Sequence, residues 1–463
     1  MSQSTLRINF RGGTYVSVIP IATFILLTIV LVITGEAGVK SMIIAAMFGI
    51  SLGMPFATNV ADYNEKVFAL MANSVAGVAV ICWLWTGAFS GILADSGLVE
   101  AIVWLGWKAN IGGELFILAV FILSSLFAVS VGSAFATVVG FTTVMYPAGI
   151  LLGAPPGPLV GAILSGAAFG DNLAPVSDTT ILSAATQETD VGGVVRSRLK
   201  YSLTAAVISG FLFYIFGGGA STIDPLKAGQ LLSEIADPAG LPMFIPAVIV
   251  FVTAIRGYHF LLAINLGIAS ALIIGNYTGV FPFGKVFSFS SDNSFGGCAV
   301  NGVMAVLPIS ILALLLVTVN GLMEAGGFFD RLLVTLDRIA VKSVRRAETA
   351  IVVLVSLGNL CVPGNTSAMV TTGPLVNQIR KRHGIHQYRS ANLMDCISCS
   401  FPFLLPYATV IIVAIAVQKE LQIRYGFIPV LSWSDIWPYV YYGIVLFPLM
   451  IVSVITGIGR SKG

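Results

Sequence analysis

The stretch that decides the fold class runs from residue 166 to residue 182 and reads GAAFGDNLAPVSDTTIL. It is apolar enough to enter a bilayer, yet it carries two carboxylates, Asp171 and Asp178, and two residues that interrupt a helix, Gly170 and Pro175. A charged Asp at the centre of a bilayer costs roughly 2.5–3.5 kcal/mol on insertion scales. An interrupted helix leaves backbone groups unpaired, which is tolerated only inside protein or beside a water-filled cavity. The stretch therefore predicts a broken membrane helix that lines a functional site.

The whole chain has the composition of a membrane protein. Of its 463 residues, 24 are Lys or Arg and 21 are Asp or Glu, which makes 10% charged where soluble domains have about 25%. Apolar residues make up 57%, and the mean hydropathy is +0.94. These values exclude a water-soluble enzyme, a disordered chain, a collagen and a disulfide scaffold. The net charge of +3 is too small to indicate nucleic acid. We expect an all-α polytopic protein in a lipid bilayer.

Apolar runs near the length of about 20 residues that spans a bilayer recur along the chain. Uninterrupted candidate spans are 16–34, 39–56, 69–93, 201–216, 242–255, 260–280, 300–323 and 437–455. Four longer apolar regions, 114–153, 158–186, 347–382 and 391–417, contain Gly or Pro interruptions. Short amphipathic stretches at 98–107 and 328–338 are typical of interfacial helices.

The two halves of the chain resemble each other. Gly91 to Gly97 resembles Gly321 to Gly327, Gly132-Ser133 resembles Gly364-Asn365, and Leu173-Ala174-Pro175 aligns with Leu404-Leu405-Pro406, at offsets of 230, 232 and 231 residues. Each half contains three spans, a helical hairpin with a Gly-rich tip, a broken span and one further span. This pattern predicts five crossings plus a re-entrant hairpin per repeat, and an odd number of crossings inverts the second copy. Inverted repeats with paired broken helices are typical of secondary transporters.

The predicted organisation follows from this duplication. It consists of an N-terminal cytoplasmic segment at 1–14, a first transmembrane repeat at 15–216, a linker at 217–240, an inverted second repeat at 241–457 and a tail at 458–463. Lys and Arg concentrate near both termini and in the segments 187–200, 330–346 and 380–389. Crossing parity places both termini and the segments 187–200 and 330–346 on one side. Because positive charge is retained inside, we expect both termini in the cytoplasm of a cell with a bacterial-type plasma membrane.

Asp171 and Asp178 are the residues that we expect to hold a transported cation, Na⁺. Backbone carbonyls freed at the break, with the side-chain oxygens of Asn172, Ser177 and Thr179, suit a hard cation of this kind. A buried carboxylate is neutralised either by a proton or by a bound cation, so one Asp could exchange H⁺ for Na⁺. The alternative is that both acids are N-caps of half-helices. A capping carboxylate can also be a ligand, so both interpretations stay open.

Polar residues elsewhere are expected to complete the site. The hairpin tips carry Ser133 in the first half and Asn365 and Thr366 in the second, where small polar groups could reach a ligand. Plain turn chemistry is the alternative for these tips. The matching broken stretch of the second half has no acid, and Thr409 stands at the place of Asp178. The role of Asp395, one to two turns earlier, is left open between the cavity and a helix interface.

No cofactor is predicted, and an enzyme is not expected. The sequence contains no GxxxxGK[ST] phosphate loop, so the nucleotide-binding motif of a primary ATP-driven pump is missing. No metal cluster or catalytic triad stands out. Cys396 and Cys399 form a CxxC inside a helical segment with no second pair, and we interpret them as small packing residues rather than a metal or redox pair. The species handled would be Na⁺, H⁺ or a small solute.

Residues 169–182, FGDNLAPVSDTTIL, resemble the signature of NhaC-type Na⁺/H⁺ antiporters, roughly GD-x-x-S-P-x-S-D-T-T. Residues 400–409, SFPFLLPYAT, are similar to the broken helix of divalent-anion symporters. Both families belong to the ion transporter superfamily. The resemblance implies inverted repeats with two hairpins and two broken helices, and it implies a homodimer.

The same resemblance implies an ion site at five residues, Asp171, Asn172, Ser177, Asp178 and Thr179. The sequence departs from the family pattern at two positions. Ala174 replaces the usual Ser, and Asn172 stands where many members would have a basic residue. The loss of that charge leaves the transported species open.

Two functions therefore compete. The first is Na⁺/H⁺ antiport by alternating access, which the paired Asp residues favour. The second is a Na⁺- or H⁺-coupled carrier of a small organic acid or amino acid, which the hydroxyl- and amide-rich hairpin tips favour. A channel would need a run of polar residues at helical spacing, which does not recur in the sequence. A membrane-embedded enzyme would need a catalytic constellation.

Overall fold

The computed structural model describes residues 7–34, 39–72, 74–109, 111–175, 177–218, 236–256, 258–289, 295–329, 331–332, 343–361 and 364–460. These residues are almost all helical, as their composition predicts. The β-structure among them consists of one antiparallel pair, β1 (Ser288–Phe289) and β2 (Phe295–Gly296), and a single bridge between Phe10 and Ala57.

The first half of the chain contains both predicted interrupted elements. Its helices are α1 (Ile19–Ile33), α2 (Val39–Gly53), α3 (Val60–Met71), α4 (Ser74–Asp95), α5 (Leu98–Lys108), α6 (Gly113–Val131), α7 (Ala134–Leu151), α8 (Pro156–Leu173), α9 (Asp178–Thr186) and α10 (Val191–Phe216). Helices α6 and α7 form the first hairpin, with Gly132 and Ser133 at its tip. Helices α8 and α9 are the two halves of the first broken helix.

The second half has a similar order. Its helices are α11 (Phe244–Ile255), α12 (Phe260–Thr278), α13 (Cys298–Ala325), α14 (Val344–Cys361), α15 (Asn365–His383), α16 (Gln387–Ser398), α17 (Thr409–Tyr425), α18 (Trp433–Ile436) and α19 (Tyr441–Thr456). Helices α14 and α15 form the second hairpin. Helices α16 and α17 are the halves of the second broken helix, joined through a short 3₁₀ turn at Phe401–Leu404.

The similarity of the two halves extends to the helix boundaries. Four pairs of equivalent helices begin 231 residues apart, namely α6 and α14 (113 and 344), α7 and α15 (134 and 365), α8 and α16 (156 and 387), and α9 and α17 (178 and 409). The turns match as well, because Gly153 and Gly384 both adopt positive φ after the second arm of their hairpin. Only glycine tolerates this backbone conformation without strain. The repeat of elements seen in the sequence is therefore also a repeat of conformation.

The described residues contain enough apolar helix for a polytopic membrane protein. Eight helical segments are long and apolar enough to cross a membrane, or up to ten if two bent helix pairs each count as one span. One bent pair is α4 with α5, at 59°, and the other joins 433–439 to α19, at 56°. These lengths and this composition are those of an integral membrane protein.

Small residues bring the central helices close together. In α8, a Cβ on Gly170 would lie 2.1 Å from the Cβ of Ala128 in α6, so the two helices approach as nearly as their backbones permit. Helices α4 and α13 cross in the same way, because a Cβ on Gly302 would lie 2.1 Å from the carbonyl oxygen of Gly87. Close approach through small residues is the usual packing mode of membrane helices. Helices α8 and α16 are almost completely buried and form the centre of the fold.

Two basic segments predicted as loops are partly helical and buried. Helix α10 begins at Val191 instead of residue 201, and it buries Arg198 completely. Helix α16 likewise begins at Gln387 and buries Arg389. The prediction of loops at these charges was wrong because each arginine has a buried acidic partner far away in sequence.

The predicted interfacial stretches differ in outcome. Residues 98–107 form the expected helix, α5, in which Leu98, Val99, Ile102 and Val103 are buried while Leu105 and Trp107 are exposed. The helix is amphipathic as predicted, and its interfacial position stays a prediction. Most of the stretch 328–338 and of the predicted linker 217–240 lies outside the described residues.

Candidate functional site

The first break surrounds Asp171 with polar groups. Asp171 lies in the last turn of α8, and its side chain is buried. Ser177 Oγ donates to one carboxylate oxygen at 2.7 Å, and Asn365 Nδ2 donates to the other at 2.6 Å. The Thr179 hydroxyl donates to the Asp171 carbonyl oxygen at 3.1 Å and lies 3.0 Å from Ser177 Oγ. Asp171 is thus inside a helix rather than an N-cap, and three predicted site residues converge on it.

Asp178 begins the second half-helix and is exposed. One carboxylate oxygen accepts a hydrogen bond from the Thr179 backbone N–H at 2.9 Å, and the other accepts one from the Thr366 hydroxyl at 2.6 Å. The first contact resembles helix capping, whereas the second reaches across to the other repeat. Asn365 and Thr366 are adjacent at the tip of the second hairpin, so this one tip contacts both acids.

The second hairpin also makes contacts at the far end of α9, away from the break. Gln187 Nε2 donates to the Gly373 carbonyl oxygen at 3.1 Å. At the far end, Lys381 Nζ donates to Glu188 at 2.5 Å, and Arg380 contacts the same carboxylate at 3.3 Å. The hydrogen bond from Lys381 holds the pKa of Glu188 below its usual value. The hairpin and the half-helix are therefore joined along their whole length.

Asn172 follows Asp171 in α8, but its side chain contacts a different set of residues. Its side-chain amide donates to Asp395 Oδ1 at 3.0 Å, and its side-chain oxygen accepts from Ser202 at 2.5 Å and from Tyr442 at 2.9 Å. Its backbone carbonyl accepts from Arg198 at 2.5 Å. Asn172 connects α8 with α10, α16 and α19, and its role as an ion ligand stays a prediction.

A buried ion pair next to the first break contacts both of its half-helices. Arg198 Nη1 lies 2.7 Å from Asp395 Oδ2, and neither side chain is exposed. The same guanidinium donates to Thr180 Oγ1 and Ser183 Oγ in α9, each at 3.0 Å. With its bond to the Asn172 carbonyl, Arg198 therefore holds both halves of the broken helix. The sequence marked Asp395 as an acid of open role, but it gave no signal for Arg198.

Two other predicted site residues occupy different positions. Ser133 Oγ accepts from the Ala136 backbone N–H at 3.3 Å and caps α7, which is the plain turn chemistry considered as an alternative. Its hydrogen bonds stay within its own helix. Thr409 is the first residue of α17 and is half-buried, in the position that corresponds to Asp178.

The CxxC cysteines lie against the buried ion pair. Both are buried free thiols. Cys399 Sγ donates to Asp395 Oδ1 at 3.2 Å, and Asn172 Nδ2 lies 3.7 Å from Cys396 Sγ. They pack inside the helix pair as predicted, but they also contact polar groups.

A second buried ion cluster joins three distant segments. Glu348 in α14 accepts from Arg389 in α16 at 3.0 and 3.2 Å, and from Arg460 near the C-terminus at 3.0 and 2.7 Å. Glu348 is completely buried. Arg389 and Arg460 lie in basic segments outside the predicted spans, and the distance of all three residues from one another in the sequence hid their pairing.

The chemistry around Asp171 and Asp178 suits a small hard cation. Carboxylate, hydroxyl, amide and carbonyl oxygens surround the break, and these are the ligands that such cations take. No described basic side chain forms a salt bridge with either acid, and Arg198, which contacts both halves of the broken helix, is paired with Asp395. In the described ranges, no group of three or more His, Cys, Asp or Glu is arranged to hold a metal ion. A cation here would be held by the two carboxylates and by neutral oxygens.

The known proteins that this chain resembles are antiporters with different substrates. The chain is 30% identical over 296 residues to the malate-2H⁺/Na⁺-lactate antiporter of Bacillus subtilis (strain 168), covering 63% of this chain and 58% of that protein. It is 29% identical over 253 residues to the arginine/ornithine antiporter ArcD of Halobacterium salinarum, covering 50% and 51%. It is 24% identical over 317 residues to the Na⁺/H⁺ antiporter NhaC of Alkalihalophilus pseudofirmus, covering 65% and 66%. The chain thus spans between half and two thirds of these relatives.

A solved structure is similar only at a coarse level. The Alcanivorax borkumensis YdaH transporter aligns with 85% of this chain and 91% of its own, at 13% identity and a TM-score of 0.37. That score is too low to carry an argument about the fold.

The match to a family is more direct. The sequence model of the Na⁺/H⁺ antiporter family matches residues 6–218, which include the whole first hairpin and the first broken helix. Through these residues the chain is similar to the Na⁺/H⁺ antiporter family.

Proposed function

We propose that this secondary transporter exchanges Na⁺ for H⁺ by alternating access, with the cation held at the first break by Asp171 and Asp178. The observation that carries the proposal is the charge of the site. Two carboxylates face the break, and no described basic side chain pairs with either of them. Such a site attracts a cation or a proton, and a carboxylate that holds one cannot hold the other. Competition of this kind couples the two ions.

The ligand set proposed for Na⁺ is drawn from both repeats. Asp171 and Asp178 supply the charge, Ser177 and Thr179 supply hydroxyl oxygens, and the hairpin tip supplies the remainder. The Asn365 amide nitrogen and the Thr366 hydroxyl now donate to the two carboxylates. An arriving cation would take over these carboxylate oxygens. Because the tip contacts both acids, its position would depend on whether they hold a cation, a proton or neither.

The architecture that we propose for this cycle has two inverted repeats. The helix starts that recur at 231 residues support a duplication, and five crossings per repeat would invert the second copy. We further propose that both termini lie in the cytoplasm at a bacterial plasma membrane. The homodimer rests on the family resemblance alone.

A second function is favoured by a specific observation, namely the exchange of organic acids or amino acids by the relatives named above. In this alternative, the amide of Asn365 and the hydroxyl of Thr366 would bind a substrate carboxylate beside Na⁺. A free carboxylate would be repelled by Asp171 and Asp178, so it would have to enter with a cation or as the neutral acid.

The test is a reconstitution in liposomes that carry a pH-sensitive dye inside. External Na⁺ added to Na⁺-free vesicles should alkalinise the lumen, because each inward Na⁺ is exchanged for outward H⁺, and the rate should saturate with Na⁺. The same vesicles are then given malate, lactate or arginine without Na⁺ and with it. If Na⁺ moves no protons until one of these solutes is present, the antiport proposal fails and the carrier alternative stands.

A further inference from the structure

A cavity of about 580 Å³ lies away from the broken-helix site, among α4, α7, α13 and α17. Helix α4 packs on α13 and on α7, and α17 packs on α7 and on α13. None of the residues placed at the first break lines the cavity. Its volume is within the range of roughly 300–1,000 Å³ that is typical of small-molecule sites. The cavity is therefore large enough for an organic molecule and distinct from the proposed cation site.

The walls of the cavity are mainly apolar and firmly held. Val139 of α7, Val306 of α13 and Val417 of α17 contribute aliphatic surface. One wall follows the crossing of α4 with α13, where a Cβ on Gly91 would lie 2.3 Å from the Cys298 carbonyl oxygen. This contact leaves no room for the two helices to move closer. A ligand would meet a preformed apolar surface rather than a collapsed one.

Polar groups are few and are distributed around this surface. Ser90, Thr143 and Asn301 line the cavity from three different helices, and Asn301 is exposed. A mostly apolar lining with a few separated polar groups is typical of sites that orient a small organic ligand.

The charged end of the cavity has an excess of negative charge. Arg424 pairs with Asp95 and donates to the Ala94 carbonyl oxygen at 2.8 Å, so its guanidinium is already engaged. Glu420 lies one turn earlier on α17 and is exposed in the cavity lining, and its carboxylate forms no hydrogen bond with any residue that the structure describes. Two acids and one base leave one negative charge unmatched.

A further carboxylate, Glu100, lies near this group but outside the cavity lining. Glu100 interacts electrostatically with Arg424 and Asp95. Its Oε2 atom is buried and has no hydrogen-bond partner in the described part of the chain. Buried polar atoms normally have partners, so the absence of a donor here is notable.

We propose that this cavity is a second binding site that takes a small organic cation, with one ammonium or guanidinium group on an apolar body. The cationic group would bind the Glu420 carboxylate, with Asn301 available for a further polar contact, and the body would fill the space between the valines. An anion is disfavoured because Arg424 is engaged. A bare metal ion is disfavoured because the lining is mainly apolar and no described acidic cluster is arranged to hold one.

Occupancy of this site should affect transport. Helix α7 starts at the tip of the first hairpin, and α17 starts at the second break, so the two helices connect the cavity with both interrupted regions. Helices α4 and α13 form the opposite wall of the cavity, and they are part of neither interrupted region. A ligand that contacts both pairs would oppose any movement of one pair relative to the other, and we expect it to slow transport.

The test uses the full chain in lipid nanodiscs and three probes of similar shape, 2-phenylethylammonium, 2-phenylethanol and 3-phenylpropionate. Isothermal titration should show the cation binding at least about tenfold more tightly than the neutral and the anionic probe. Glu420→Gln should weaken cation binding about tenfold or more. Glu65→Gln, a matched change at an exposed position of α3, should leave it unchanged. Equal affinity for the three probes, or an unaffected Glu420→Gln variant, overturns the proposal.

Two further variants locate the probe. Ala305→Phe fills the cavity from a half-buried position on α13 and should abolish cation binding, while a thermal unfolding curve checks that the variant is folded. Asp171→Asn should leave the affinity unchanged, because Asp171 is not part of this cavity. If Asp171→Asn abolishes binding and Ala305→Phe does not, the probe occupies the broken-helix site and the inference is wrong. The assay measures binding without transport, so its result does not depend on whether Na⁺/H⁺ exchange is correct.

Discussion

Asp171 and Asp178 are seven residues apart, on opposite sides of the break, and their surroundings differ. Asp171 is buried and accepts hydrogen bonds from Ser177 and Asn365. Asp178 is exposed and accepts one from Thr366. Asp178 is thus open to an arriving ion, whereas Asp171 is the deeper carboxylate. An ordered capture, first at the exposed acid and then at the buried one, is consistent with this arrangement.

Arg198 and Asp395 should behave as a coupled pair. Removing one partner from a buried ion pair leaves an uncompensated charge, which typically costs about 3–5 kcal/mol. We therefore expect Arg198→Gln and Asp395→Asn each to lower the thermal unfolding temperature in detergent strongly. The double variant has no unmatched charge and should be more stable than the sum of the two single effects predicts. Strictly additive losses would show that the pair does not hold the break.

The acids of the site could be identified from the sequence, but the buried ion pair beside them could not. Asp171 and Asp178 stood out because charge is rare in an apolar run that contains Gly170 and Pro175. Arg198 lies in a polar stretch with Ser197 and Lys200 that resembles a loop in composition. Its partner, Asp395, is nearly two hundred residues away in the sequence. Local composition cannot show whether such a charge is solvated or paired.

At the level of elements, the second hairpin is expected to matter more for the cation than the first. Asn365→Ala and Thr366→Val each remove a hydrogen bond to a carboxylate, and bonds to charged groups contribute about 1.5–3 kcal/mol. We expect the apparent Na⁺ affinity, measured as proton movement in liposomes, to change by about tenfold or more, since about 1.4 kcal/mol corresponds to tenfold.

Ser133→Ala is the matched control at the first hairpin tip. Ser133 only caps α7, so its loss should reduce stability by about 1 kcal/mol and leave the apparent Na⁺ affinity unchanged. An effect on Na⁺ affinity as large as that at Asn365 would indicate that both tips reach the ion.

The interrupted elements were predicted well because their signals are local. Glycine and proline inside apolar regions marked both hairpins and both broken helices, and the helices begin at matching positions in the two halves. Helix α5 was predicted as an amphipathic helix, and it has a buried face with Leu98 and Ile102 and an exposed face with Trp107. Amphipathic periodicity identifies an apolar face without identifying what covers it.

Across the whole molecule, the crossing of α4 and α13 joins the two halves of the chain. Gly302→Ala should destabilise the protein by about 1–3 kcal/mol, because its Cβ would lie 2.1 Å from the Gly87 carbonyl oxygen and overpacking has costs of this size. Gly77→Ala, also in α4, has no heavy atom within 4 Å of the added Cβ and should be neutral or slightly stabilising. Thermal unfolding in detergent compares them, and equal melting temperatures would contradict a tight crossing.

The composition and the helices of the chain identify the class of protein, but they do not identify the transported species. The chain is an integral membrane protein whose residues 6–218 match the Na⁺/H⁺ antiporter family, and the relatives that it resembles are named for different substrates. The choice among these cargoes therefore depends on the chemistry at the first break. That chemistry has two acids without a basic partner, which is why we place a cation there.

The most direct measurement of this claim is the equilibrium binding of radioactive ²²Na⁺ to the purified protein. Wild-type protein should show saturable binding that excess unlabelled Na⁺ displaces, and Asp171→Asn and Asp178→Asn should each lose it while they keep a cooperative unfolding transition. Asp62→Asn, a matched change on α3, should bind as the wild type does. Saturable ²²Na⁺ binding that persists in both Asp171→Asn and Asp178→Asn would contradict the account.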